Sequence, residues 1–221
     1  MTKIIRLNIL EKIYKSKKKQ VTVLKDLNLV VNKGEKIAVV GKSGSGKTTL
    51  LNILGLLDKD YKGSYELFGV NTKEIDSTQM ASFRNKEIGF VLQESALIPT
   101  LTIEENIKLP LLYASTPLER PILDFNEIVR CIGVESILNK KPMECSGGEK
   151  SRAVFARAIL MKPKLILCDE PTASLDEENK GQILKLIFDM NQKYNTTVIT
   201  VTHDFEVAKQ HDRIIKIIKE D

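Results

Sequence analysis

The sequence predicts an α/β fold, a parallel sheet covered by helices on both faces, and three observations carry that prediction. The apolar and β-branched runs Ile37-Ala38-Val39-Val40, Leu165-Ile166-Leu167-Cys168, Thr197-Val198-Ile199-Thr200-Val201 and Ile214-Ile215-Lys216-Ile217-Ile218 read as strands buried on both faces. Helical periodicities lie between them, as parallel strands require for their crossovers. One strand-to-helix junction is the glycine-rich stretch Gly41-Lys42-Ser43-Gly44-Ser45-Gly46-Lys47-Thr48, which has the spacing and context of a phosphate-binding loop.

In chain order, residues 3–10 and 21–31 carry strand-like alternation, with Leu27, Leu29 and Val31 set against Asn28. They flank Lys15-Ser16-Lys17-Lys18-Lys19, read as a solvated hairpin tip or as a loop lying near anionic lipid when a partner holds the protein at the membrane, and end at the turn Asn32-Lys33-Gly34-Glu35. Strand 37–40 follows, then the loop and a helix beginning near Lys47 and running through Leu54. Residues 58–69 are polar and rich in turn formers, and residues 86–93 read as another strand. From 94 to 160 the texture becomes helical, with patterns at 103–112 and 125–132 separated by the breakers Pro110, Pro117 and Pro121. Ser146-Gly147-Gly148-Glu149 opens a further helix, with Val154, Ala158 and Met161 in helical spacing and Pro163 closing it. After strand 165–168 comes a helix with Ile183, Ile187 and Met190 on one face and Leu184 and Phe188 beside it.

The expectation is one domain over 1–221: an α/β P-loop NTPase core with a parallel sheet, about 1–93 and 161–221. It carries an N-terminal antiparallel β subdomain and an inserted helical subdomain, about 94–160.

Bulk properties narrow the setting. A chain of 221 residues, 42% hydrophobic and 29% charged, has the composition of an ordinary globular protein. No stretch approaches the roughly 18 uncharged apolar residues of a membrane span. Charges occupy the start, Met1-Thr2-Lys3-Ile4-Ile5-Arg6, where a secretory signal would keep its apolar core. A cytoplasmic location is therefore expected. Cys131, Cys145 and Cys168 are widely spaced and read as reduced thiols. The net charge of +5 is mild, and the lysine cluster lacks the aromatic or arginine company of a nucleic-acid patch, so no direct nucleic-acid contact is expected.

The chemistry begins at the loop. Its glycines permit tight turning and leave amide N–H groups free to face an anion, and the helix starting near Lys47 adds its positive end. Lys47 would reach the β- and γ-phosphates of a nucleoside triphosphate, and the Thr48 hydroxyl would enter the Mg²⁺ shell, with Thr49 beside it at the helix start. Asp169 ends a buried strand at its carboxyl edge, where open α/β sheets bind ligands, and would hold Mg²⁺ through water. Glu170, one residue on, faces differently and can act as general base on the attacking water. Ser146 and Glu149 match a capping box, which accounts for two residues of their motif without a ligand. The adjacent glycines remain, and with the serine hydroxyl and helix-start amides they make a second anion site. Both sites could serve one γ-phosphate only if two copies meet.

The order of the phosphate loop, Gln93, Ser146-Gly147-Gly148-Glu149, Leu165 to Glu170, Ala173-Ser174-Leu175-Asp176 and His203 resembles the ATP-binding-cassette (ABC) ATPases over essentially the whole chain. The resemblance implies that Tyr14 stacks on adenine and that Gln93 links Mg²⁺ and water to the helical lobe. It implies that Ser146, Gly147 and Gly148 close on ATP held by the opposite subunit, and that Leu175-Asp176 communicates across the dimer. His203 would contact the γ-phosphate and orient the attacking water. Two positions depart from the family pattern: Cys145 stands where leucine is common, and Glu149 where glutamine is usual.

Within the family, Leu54-Gly55-Leu56-Leu57-Asp58 and the stretch from Ala96 to Asn106 resemble the ATPase subunits of the macrolide-exporter, lipoprotein-release and bacitracin-resistance type. That resemblance implies ATP and Mg²⁺ as ligands, a second copy and a transmembrane permease as partners, and a place at the inner face of the membrane. Two readings compete with it: a nucleotide-binding regulator with no useful turnover, against which intact Lys47, Glu170 and His203 argue, and a soluble, non-transport ABC ATPase acting on another macromolecular complex. Relatives of that kind carry two cassettes or a long coiled coil, and neither is found in this sequence.

Overall fold

A computed structural model describes residues 2–15, 20–92, 96–114, 122–173 and 175–218. The amino-terminal half opens with β1 (Lys3–Lys15) and β2 (Gln20–Asn32), both longer than the alternation suggested, followed by β3 (Lys36–Val40) and α1 (Lys47–Leu54). Next come β4 (Lys62–Leu67), β5 (Val70–Asn71), α2 (Ser77–Glu87) and β6 (Ile88–Val91). The helical stretch holds α3 (Ile103–Leu112), α4 (Phe125–Ile132) and α5 (Gly147–Ile159). The chain returns to the sheet through β7 (Leu165–Asp169), α6 (Glu177–Tyr194), β8 (Thr197–Val201), α7 (Phe205–Ala208) and β9 (Arg213–Lys216).

Two sheets result. The strands β2-β1-β4-β5 pair antiparallel, and β6-β7-β8-β3-β9 pair in parallel. The parallel strands alternate their buried residues between two cores. Leu165, Leu167, Ile199 and Val201 face one core, together with Leu50, Leu51, Ile53 and Leu54 of α1 and the inner face of the antiparallel sheet. Ile166, Cys168 and Val198 face the other, formed by α3, α4, α5 and α6. The non-alternating runs therefore have the physical origin assigned to them, burial on both sides. The edge strand β9 is the exception, with Ile214 38% exposed.

Three expectations need correction. Residues 58–69 are not only turns, because β4 lies among them and buries Tyr65 and Leu67. Gly63 accounts for the disguise: a Cβ there would stand 1.9 Å from the Asn8 carbonyl oxygen, so a residue that usually marks a turn is needed for close strand approach. Lys86 and Glu87 belong to the end of α2, and β6 covers only Ile88 to Val91. Pro110 does not break α3, which continues to Leu112. It stands near the helix end, where the loss of one i to i−4 bond is tolerated. Pro117 and Pro121 lie outside the described residues.

Candidate active site

The loop between β3 and α1 presents backbone rather than side chain. Gly46, the N-cap residue of α1, has φ of 95° and no side-chain cap, so the first-turn N–H groups are left for a ligand. Gly44 is also left-handed, at 73°. Ser45 is buried under the loop, and a Cβ on Gly41 would stand 2.5 Å from its Oγ, so bulk at Gly41 would force the loop to move. Lys42 and Ser43 are exposed, and the buried Thr49 follows the exposed Thr48 in the first turn of α1. Lys47 Nζ donates to the carbonyls of Gly41 and Lys42 at 2.9 and 3.1 Å, folding the ammonium across its own loop.

The carboxyl ends of two parallel strands bring the other groups to this point. Thr48 Oγ1 donates to Asp169 Oδ2 at 3.2 Å, which places the last residue of β7 against the start of α1. Burial holds the Asp169 carboxyl above the usual carboxylate range, with the Thr48 hydrogen bond opposing it. A hydroxyl and a half-buried carboxylate are the hard oxygen donors Mg²⁺ accepts, and Mg²⁺ takes its remaining ligands from water and phosphate. The donor set therefore fits that ion. Among the described residues no group of three or more His, Cys, Asp or Glu side chains could hold a metal by itself.

Glu170 has φ of 47°, left-handed for a residue with a side chain. Its N–H donates to the Val201 carbonyl at 2.9 Å, which holds this turn against the end of β8. The turn aims Glu170 Oε1 at His203 Nδ1, 2.8 Å away; the Glu170 side chain is 13% exposed and that of His203 69%. A sheltered carboxylate meets an accessible imidazole beside the loop and Asp169, the arrangement needed to orient and deprotonate a water.

Ser146 forms the predicted capping box: its Oγ accepts from the Glu149 N–H at 3.2 Å, and Glu149 Oε2 accepts from the Ser146 N–H at 2.7 Å. Those bonds hold the Glu149 carboxyl below its ordinary range. The two glycines then part company. A Cβ on Gly148 would stand 2.3 Å from Asn179 Oδ1, so a side chain there would force Asn179 to shift. At Gly147 only Leu175 Cδ2 is near, at 4.0 Å. Gly148 thus has a packing partner within the chain, whereas nothing within the chain crowds Gly147. Asp176 caps α6, accepting from the Asn179 N–H and Nδ2 at 2.9 and 2.8 Å, which lowers its carboxyl pKa. Arg152 of α5 donates to Asn179 Oδ1 at 3.1 Å. Asn179 is therefore the joint between α5 and α6, and its only mark in the sequence is its place three residues after Asp176.

Among the described residues no hydrogen bond or ion pair links Ser146 to Glu149 with the loop 41–48. Gln93 and Ser174 lie outside the described residues. Tyr14 is 46% exposed and donates to Asp58 Oδ2 at 3.2 Å, with Lys12 Nζ 4.7 Å from its ring centroid. Lys12, which sequence reasoning passed over, is only 2% exposed and bonds Asp58 and the Asp60 carbonyl. Lys12 pairs in register with Leu24, which lies against Gly46, so Tyr14 stands two residues along β1 from the loop's own support. Cys145 is buried and its thiol pKa is raised by that burial, so it fills the place of an aliphatic side chain.

Parallel sheet, crossover helices and loop together define a nucleotide-binding protein of the P-loop class. Within that class the chain belongs to the ABC transporter family, whose profile matches residues 24–173. It is 40% identical to the lipoprotein-releasing system ATP-binding protein LolD of Bacteroides fragilis over 196 residues, 89% of this chain and 91% of that one. It is also 40% identical to the macrolide export ATP-binding/permease protein MacB of Rhodopirellula baltica over 215 residues, 96% of this chain. There it spans 31% of the relative's length. Among solved structures, the dimeric post-hydrolysis state of the ATP-binding cassette MJ0796, bound to ADP and Pi, superposes with a TM-score of 0.87 at 35% identity, covering 97% of this chain and 94% of that one.

Proposed function

We propose that the chain is the ATP-binding and hydrolysing subunit of a bacterial ABC transporter, working as a head-to-tail pair that drives a separate permease. The observation that carries this is the convergence of Glu170 and His203, 2.8 Å apart, beside the Thr48–Asp169 pair and the loop 41–48. In this reading Lys47 and the loop amides hold the β- and γ-phosphates, and Tyr14 supports the adenine. Thr48, Asp169 and Gln93 hold Mg²⁺, which when bound neutralises phosphate charge. Glu170 takes the proton of the attacking water, and His203 orients that water and meets the γ-phosphate. Ser146, Gly147 and the start of α5 approach the nucleotide of the other copy, with Glu149 fixing the cap and Asp176 lying between the two sites.

Several observations support the assembly. The solved cassette that superposes over 97% of this chain is dimeric, and in this reading one γ-phosphate meets the loop of one copy and the second anion site of the other. No helix among the described residues is long and apolar enough to cross a membrane; in this reading a separate permease couples the chain to transport, and the chain works at the inner membrane face. In this reading the helical stretch at about 94–160 is the piece that moves after hydrolysis. A named lipoprotein-releasing relative that matches over nearly its whole length favours the exporter and lipoprotein-release group.

Glu170→Gln tests the chemistry. The variant keeps ATP affinity within about twofold and loses at least about a hundredfold in phosphate release, the scale of a missing general base. Hydrolysis at the wild-type rate would remove Glu170 from the role of base.

A further inference from the structure

We propose that Lys180 is a positioning residue that ties the His203 loop to the start of α6 and so sets the rate of hydrolysis. This rests on the reading of Glu170 and His203 as the water-activating pair. Lys180 lies one turn after Asp176, and its Nζ bonds directly to Asp204 Oδ2. The two side chains are 18% and 31% exposed, so the pair is partly withdrawn from water, and Glu177 Oε1 flanks the ammonium at 3.5 Å.

Asp204 follows His203 immediately, and its two oxygens do different work. Oδ1 accepts from the N–H groups of Glu206 and Val207 at 2.8 and 3.3 Å, while the Asp204 N–H donates to Thr202 Oγ1 at 3.0 Å. These bonds fix the shape of the turn but are all local to it. The Thr202 N–H bond to the Val39 carbonyl at 3.1 Å ties the turn to β3, and Lys180, reaching across 24 positions of sequence to Oδ2, is the side-chain contact that ties it to a helix. The element it chooses begins at Asp176 and carries Asn179, the joint to α5. Glu170 and His203 sit on separate loops, after β7 and after β8, so their 2.8 Å spacing depends on both loops being held to a common frame. Mutual stabilisation of the two charges agrees with this, since Lys180 is pushed up and Asp204 down by their hydrogen bond.

An ordinary exposed ion pair adds little to stability and nothing to chemistry. The test separates that role from positioning by measuring phosphate release, ATP affinity and thermal unfolding on the full chain. Lys180→Met lowers kcat about tenfold, a factor typical of small misplacements in a reacting geometry. KM and ATP affinity stay within about twofold, and Lys180→Arg restores most of the rate. Asp204→Asn keeps the helix cap, since asparagine caps as well as aspartate, and loses the charge. It therefore matches Lys180→Met, and the double variant is no slower than either. Unchanged kcat in Lys180→Met, losses that multiply in the double variant, or a loss confined to KM or melting temperature would each overturn the proposal. Wild-type protein without ATP turnover would overturn the reading beneath it, whereas active wild type with an inactive Glu170→Gln and an unaffected Lys180→Met would overturn this inference alone.

Discussion

At the scale of single residues, the two glycines that open α5 illustrate why a motif has to be divided before it is interpreted. Gly148 is held against Asn179, which in turn bonds Arg152 and caps with Asp176. Gly148→Ala pushes a methyl into that joint and is expected to cost about 1–3 kcal/mol of stability, as overpacked sites do. Gly147→Ala meets only an ordinary contact, and alanine removes the entropic cost of glycine near a helix start. Urea unfolding without nucleotide should therefore find Gly147→Ala as stable as wild type or slightly more so. If its ATPase rate nevertheless falls, the methyl obstructs something that approaches from outside the chain. Two destabilised variants would instead mean that both glycines serve the fold.

At the scale of elements, His211 couples the end of β8 to α7. Its Nδ1–H donates to the Val207 carbonyl at 3.0 Å, and its Nε2 lies 2.9 Å from the Thr200 hydroxyl, which can donate to a neutral ring. Burial accordingly lowers its pKa from the ordinary 6.5. The unfolded chain then holds more protons than the folded one between the lowered value and 6.5, so stability rises with pH across that window. The contribution is present above 6.5 and is lost as pH falls below it. Melting temperature followed from about pH 5 to 8 should show this slope in wild type, and His211→Gln should flatten it; an identical slope would assign the acid sensitivity to other groups. Such pairings mark the boundary of what a sequence reveals. The buried strands β3, β7 and β8 and the helix patterns at 103–112 and 125–132 were legible because each is regular over its own length. β4 was not, since Gly63 serves a contact with β1 that no local pattern encodes. Lys12, Asn179 and Lys180 were invisible for the same reason: each acts on a residue supplied by another element, and a lysine or asparagine reads as surface until its partner is known.

At the scale of the whole molecule, the proposed pairing of two copies divides the polar groups into two sets. The loop 41–48, Asp169, Glu170 and His203 gather at the carboxyl edge of the parallel sheet, while Ser146 and Gly147 open a helix in the other core and reach none of them through a polar contact among the described residues. A nucleotide whose γ-phosphate meets donors from both groups would stabilise association by mass action, and removal of that phosphate would release it. Glu170→Gln protein with ATP and Mg²⁺ should therefore run at twice the monomer mass in light scattering, and as a monomer with ADP. Ser146→Arg should abolish the ATP-dependent dimer while leaving one-copy nucleotide affinity within about threefold, because the proposed pairing assigns the capping serine to the approaching surface and not to the loop. Chelation of Mg²⁺ should halt phosphate release in wild type, and Asp169→Asn should raise the Mg²⁺ concentration needed to restore it, since Asp169 faces Thr48 at the place where the ion would sit. A Glu170→Gln chain that remains a monomer at saturating ATP, alone and with its permease, would leave Ser146 and Gly147 with no phosphate to meet and would remove the paired mechanism altogether.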